Sequence, residues 1–311
     1  WLMLPRHPHA DDATVDQVRG AIGDAPGLLA VGSGTINDLC KRAAALAGKP
    51  FVVLGTAASM NGYASGIAAI LSGGLKTTVP ASPARAIVLD SDILAAAPPA
   101  LAQAGLGDLL SKPVSDSCWW LSDQLEGGGY DRLPSRIVDV AVAEASAAAA
   151  GLARRDPAAH EALGRALVLS GVAMVAAGSS APASGGEHLL SHLWDMEALA
   201  AGREPRLHGA QVGVATCISA ALYHRLIGAT PRWAAPPAWV NEDARIRSEF
   251  GHLADAVLPQ ARAKHARAAS RIEALRAGWP QVRDGLIARR IPRPAEVRAV
   301  LAAAGAPSTL A

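Results

Sequence analysis

Residues 28–62, LLAVGSGTINDLCKRAAALAGKPFVVLGTAASMNG, decide the fold class. A short apolar run (28–31) enters a glycine-rich turn, GSGTIND (32–38), and a helical pattern follows to about Ala47. A second apolar run (51–54) then leads into TAASMNG (56–62). Strand, turn, helix and strand in this order read as a parallel sheet with crossover helices. Outward from this unit, residues 1–4 are a strand candidate, and residues 14–22 a helix with Asp11 and Asp12 suited to its N-terminal end. Residues 87–89 are a further strand, ending on Asp90. From about Ile93 the strand-like segments stop, and 3.6-period patterns broken by Gly, Pro and Ser run to the end. The expectation is an α/β nucleotide-binding domain with a parallel sheet over residues 1–92, and an all-α domain over 93–311.

The 311 residues include 50% hydrophobic but only 4% aromatic side chains; alanine supplies much of the rest and favours helix. A formal net charge of +2 gives no reason to invoke nucleic acid or an acidic membrane surface. The basic stretch 262–293 is interleaved with Ala, Glu and Asp, and reads as the solvated face of helices. Cys40, Cys118 and Cys217 are widely spaced and form no CxxC pair, which fits a reducing cytoplasm. The apolar runs, such as 166–177, are too short to span a bilayer, so a soluble protein is expected.

At the end of a strand and the start of a helix, GSGTIND turns backbone N–H groups and the helix dipole toward any anion above it. Its spacing is neither GxGxxG nor a Walker loop, so alone it reads equally as a structural turn. TAASMNG falls on the same ligand-facing edge of a doubly wound sheet. There Ala57, Ala58 and Ser59 are small enough for a flat ring, and Asn61 and Ser65 offer hydrogen bonds; a plain connection would look the same. The sharper signal is GGEHLLSH (185–192), with His188 and His192 four residues apart on one helix face. His208 opens a further helix in LHGAQVG, and GLGDLLSKPVSD (105–116) sets Asp108 at a helix start. Two imidazoles and a carboxylate make a Lewis-acid site for Zn²⁺, Fe²⁺ or Ni²⁺, although His pairs at this spacing also occur without metal. His7, His9, His160, His224, His252 and His265 are read as ordinary surface or core residues.

Taken together, GSGTIND, TAASMNGYAS, GLGDLLSKPVSD, SSAPASGGEHLLSH and HGAQVGV, in this order, closely resemble the bacterial-type sn-glycerol-1-phosphate dehydrogenases. These are a branch of the iron-containing alcohol dehydrogenase, glycerol dehydrogenase and dehydroquinate synthase superfamily. The resemblance runs from about Arg6 to beyond Arg225. It implies a dehydroquinate synthase-like fold with a cleft between the two domains, and reversible reduction of dihydroxyacetone phosphate to sn-glycerol 1-phosphate by NAD(H) or NADP(H). It assigns the cofactor diphosphate to Gly34, Thr35, Ile36, Asn37 and Asp38, and the nicotinamide side to Thr56, Ala57, Ala58, Ser59 and Ser65. It assigns one divalent ion, Zn²⁺ or Ni²⁺, to Asp108, His188 and His208. Substrate contact and catalysis fall to His192, Asp108 and Asn61. A cytoplasmic enzyme of glycerophospholipid synthesis, a homodimer with no nucleic-acid or membrane partner, is the expected setting.

Relatives begin with a strand, a crossover helix and an acidic residue, whereas here nothing precedes Trp1; an N-terminally truncated chain with the first strand absent is the expectation. Such a chain would leave a sheet position unpaired, expose Val31, Leu54 or their neighbours, and bind NAD(H) weakly. Asn61 stands where glycerol dehydrogenases usually carry Asp, which favours the phosphate-ester branch. A glycerol or other polyol dehydrogenase on the same scaffold, and a truncated member with impaired cofactor binding, remain the alternatives. Lys76 and Lys112 lie near the site in sequence, each equally readable as a surface lysine.

Overall fold

In the computed structural model, which describes residues 1–6, 8–72 and 75–309, the chain begins with α1 (Asp12–Ile22). Asp11 caps it by accepting from Thr14 N at 2.8 Å. There follow β1 (Leu28–Gly32), α2 (Gly34–Leu46), β2 (Phe51–Gly55), a 3₁₀ turn (Asn61–Ala64), β3 (Ile67–Ser72), β4 (Leu75–Pro80) and β5 (Ala86–Leu89). Everything described after that is helix or loop: α3 (Ser91–Ala96), α4 (Pro99–Leu110), α5 (Lys112–Glu126), α6 (Arg132–Ala147) and α7 (Ala149–Ala153). α8 (Pro157–Ala176), α9 (Gly186–Ala200), α10 (His208–Gly228), α11 (Glu242–Phe250), α12 (Ala254–Ala266), α13 (Ala268–Ala288) and α14 (Pro294–Ala303) complete it.

β1, β2 and β5 form a parallel sheet in the order β1-β2-β5, while β3 and β4 form a separate antiparallel hairpin. One sheet face, with Ala30, Phe51 and Val53, packs on α2 and α1 in a closed core. The register Val31↔Leu54↔Val88 puts those three side chains on the opposite face with Leu29. There Leu29 is 58%, Val31 48% and Val88 51% exposed, and Leu54 is half-buried.

Three expectations need correction, and one element is new. Residues 1–4 form no strand, and Trp1 and Met3 are exposed: a short apolar run with no neighbour to pair with stays irregular. The β3–β4 hairpin goes unanticipated. Asp108 sits in the last turn of α4, ahead of the break at Ser111, and not at a helix start. α8 is longer than the apolar run inside it. At 20 residues it is long and apolar enough to cross a bilayer, yet it packs into the largest core beside α6. His7 lies outside the described residues. Of the basic stretch, Arg262 pairs with Asp243, and Arg271 with Glu126 at 2.6 Å, both near the surface.

Candidate metal centre and cleft

Glycines set the meeting of α4 and α10. A Cβ on Gly107 would strike Gly209 O, and one on Gly209 would strike Ala104 O. Only without side chains can the two backbones approach this closely. The approach brings Asp108, at the end of α4, against His208, at the start of α10. α9 crosses α10 and delivers His188 to the same point. One donor atom from each of Asp108, His188 and His208 lies within 4.8 Å of the other two. His188 Nε2 and Asp108 Oδ1 are 3.4 Å apart, about the edge of a tetrahedron around an ion with ligands at ~2.1 Å.

The neighbouring groups decide which ring nitrogens face the centre. Glu187, fully buried, accepts from His188 Nδ1 at 2.9 Å, and also from Ser115 Oγ and Gly185 N. His208 Nδ1 lies 3.0 Å from Ser191 Oγ, whose own proton goes to Gln211 Oε1. Each imidazole thus commits Nδ1–H behind it and leaves Nε2 for an ion, the arrangement that orients metal-binding histidines elsewhere. Asp108 accepts from Asn61 N at 3.1 Å and from Lys112 Nζ at 2.8 Å. Burial pushes its carboxyl up, but Lys112 and His188 outweigh this and hold it well below the usual carboxylate range. Burial, with the charge of Lys76, lowers His192 to about 4 and His208 well below its ordinary value. An ionised carboxylate beside a neutral imidazole is a donor set suited to a divalent ion.

From this centre a cleft of about 280 Å³ runs to the glycine-rich turn. Gly34, Thr35 and Asp38 line it on the turn side, Ser59, Met60 and Asn61 on the loop, Lys76 and Thr78 on the hairpin, and His188, His192 and His208 on the helices. Several expected cofactor contacts are not brought to it. Ile36 packs in the core, and Asn37 is fully buried with its amide donating to Asp38 Oδ1 and Gly62 O. Ala57 and Ala58 are buried, Ala57 O accepting from Tyr63 OH at 2.7 Å, and Thr56 does not line the cleft. Ser65 is turned inward to Lys41 Nζ at 3.1 Å.

Sequence reasoning missed Glu187, Ser191 and Gln211 behind the histidines, and it missed Lys41. Lys41 is fully buried, and its ammonium donates to Gly62 O, Ser65 Oγ and Ile67 O. It pins the turn whose Asn61 amide holds Asp108. Glu187 was legible as the residue next to His188; the others had no local signal.

Residues 2–98 match the family model described as iron-containing alcohol dehydrogenase. The NAD(P)⁺ glycerol-1-phosphate dehydrogenase of Bacillus velezensis is 37% identical over 199 residues, covering 64% of this chain and 50% of that protein. The enzyme of the same name from Pyrococcus furiosus is 37% identical over 211 residues, covering 67% and 60%. The chain thus spans about half the length of the curated relatives it matches. In fold it is similar to a probable glycerol dehydrogenase from Sinorhizobium meliloti, with a TM-score of 0.58 and 21% identity over 90% of this chain and 81% of that one. The fold is therefore the dehydroquinate synthase-like one, an α/β sheet region followed by helices.

Proposed function

We propose, from the premise of a chain similar to the iron-containing alcohol dehydrogenases in residues 2–98 and in fold, that it works as an NAD(P)-dependent sn-glycerol-1-phosphate dehydrogenase. It would interconvert dihydroxyacetone phosphate and sn-glycerol 1-phosphate in the cytoplasm, as a homodimer. Residues 1–92 form the dinucleotide-binding half in this reading and 93–311 the half that holds metal and substrate. The observation that carries it is the convergence of Asp108, His188 and His208 at the end of a cleft that reaches the glycine-rich turn.

Zn²⁺ or Ni²⁺ held by those three residues would supply Lewis acidity at the substrate C2 oxygen, with nicotinamide as the redox partner. The protein's own part is positional. Glu187 and Ser191 fix the rings of His188 and His208. Asn61 N and Lys112 fix the two oxygens of Asp108. His192 faces the cleft as a neutral imidazole, suited to pass a proton between substrate and solvent. Ser33, at the N-cap of α2, makes no side-chain capping bond, so the first N–H groups of that helix, from Gly34 onward, are available to a diphosphate. A Cβ at Gly34 would meet Met60 Cγ, so only glycine keeps that approach open.

The test is an initial-rate assay of dihydroxyacetone phosphate with NADH or NADPH against glycerol with NAD⁺, with and without Zn²⁺ or Ni²⁺. Metal-dependent reduction of the phosphate ester is expected. Oxidation of glycerol in preference, or full activity after chelation, would overturn the reading.

A further inference from the structure

Three lysines stand around the cleft, and counting their N–H donors separates them. An ammonium has three. Lys112, 3% exposed, spends its three on Asp108 Oδ1, Ser111 Oγ and Ala183 O. Lys41 spends its three on Gly62 O, Ser65 Oγ and Ile67 O. Lys76 makes a single bond among the described residues, to Asp195 Oδ2 at 2.8 Å, with its side chain 27% exposed. It is also the one Lys or Arg among the described residues lining the cleft.

Its placement suits a ligand reaching outward from the metal centre. Lys76 and Thr78 alternate on β4 and line the same wall. Across the cleft, His188, His192 and Asp195 lie at i, i+4 and i+7 of α9, so Asp195 stands about 10 Å along the axis from His188. Asp195, almost fully buried, holds the ammonium there and leaves two N–H groups uncommitted.

We infer that Lys76 is the phosphate-recognising residue of the substrate site, with Asp195 as the group that positions it. The site thereby selects a phosphomonoester over the free polyol. This rests on the dehydrogenase reading above, and the test keeps the two apart by measuring binding as well as turnover. With Zn²⁺ present, sn-glycerol 1-phosphate, glycerol and NADH are titrated separately into the wild-type chain, Lys76→Met and Lys76→Arg. Hydrogen bonds to charged groups of this kind predict that Lys76→Met weakens phosphoester binding about 10- to 100-fold. Glycerol and NADH binding should stay unchanged, and Lys76→Arg should retain most of the phosphoester affinity. Equal wild-type affinity for glycerol and its phosphate, an unchanged phosphoester affinity in Lys76→Met, or a loss confined to NADH would each overturn the assignment. Absence of turnover by the wild type would defeat the dehydrogenase reading and leave the binding comparison to decide Lys76.

Discussion

Among the described residues two lysine–aspartate pairs lie with the lysine buried, one in each half, and they behave differently. Lys41 and Asp38, on α2, are 3.7 Å apart; Lys112 and Asp108, at the α4–α5 junction, are 2.8 Å apart. In the first pair burial dominates, lowering Lys41 and raising Asp38 from their ordinary values. In the second, contact with Lys112 and His188 overcomes burial and keeps Asp108 ionised. The first lysine finds its partners mainly in carbonyls and a hydroxyl, and its work is to hold a turn. The second keeps a carboxylate charged at the one point where two imidazoles also face. A buried ion pair is thus a brace in one region and the preparation of a ligand in the other.

The largest expected effect separates these roles. Lys112→Met strands a buried carboxylate and should cost about 3–5 kcal/mol in denaturant unfolding without metal; Lys41→Met leaves Gly62 O and Ile67 O without their ammonium donor and should cost about 1–3 kcal/mol for each. Added Zn²⁺ should restore much of the loss in Lys112→Met, because an ion at Asp108 replaces the missing charge and stabilises the state that binds it. It should leave the Lys41→Met deficit in place. Equal recovery in both variants would remove the distinction.

A smaller effect is expected on the open face of the sheet. Val31→Thr should change stability by no more than about 0.5 kcal/mol, since that side chain is 48% exposed and packs on little. It should also reduce any self-association measured by light scattering. A loss well above that figure would mean that the face is covered in solution.

What was legible in the sequence follows the range of the interactions. GSGTIND and GGEHLLSH carry their chemistry within a single turn or helix face, so the α2 entry and the His188/His192 pair could be read directly. The strands β1, β2 and β5 announced themselves as apolar runs, β1 and β2 running into glycine and β5 ending on Asp90. The β3–β4 hairpin did not, because Ile67 and Ile70, three residues apart, fall on opposite faces, and Ala68 and Ala69 between them give no alternation to read. Ala57, Ala58 and Ser59 were read as small enough for a flat ring, and Ser65 as offering a hydrogen bond. Ala57 and Ala58 are instead packed away, because α4 comes up against the loop, where a Cβ on Gly105 would strike Ala58 O, and Ser65 is turned to Lys41. The Lys76–Asp195 contact joins residues 119 apart, a pairing that no local pattern encodes.

The measurement closest to the central claim is metal stoichiometry. The chelator-stripped wild-type chain, His188→Ala and His192→Ala are each dialysed against Ni²⁺ or Zn²⁺ and assayed for bound metal. The account predicts one ion per chain in the wild type and in His192→Ala, whose ring borders the cleft without belonging to the three-donor cluster, and none held tightly by His188→Ala. Unchanged stoichiometry in His188→Ala, or loss of the ion in His192→Ala alone, would contradict it.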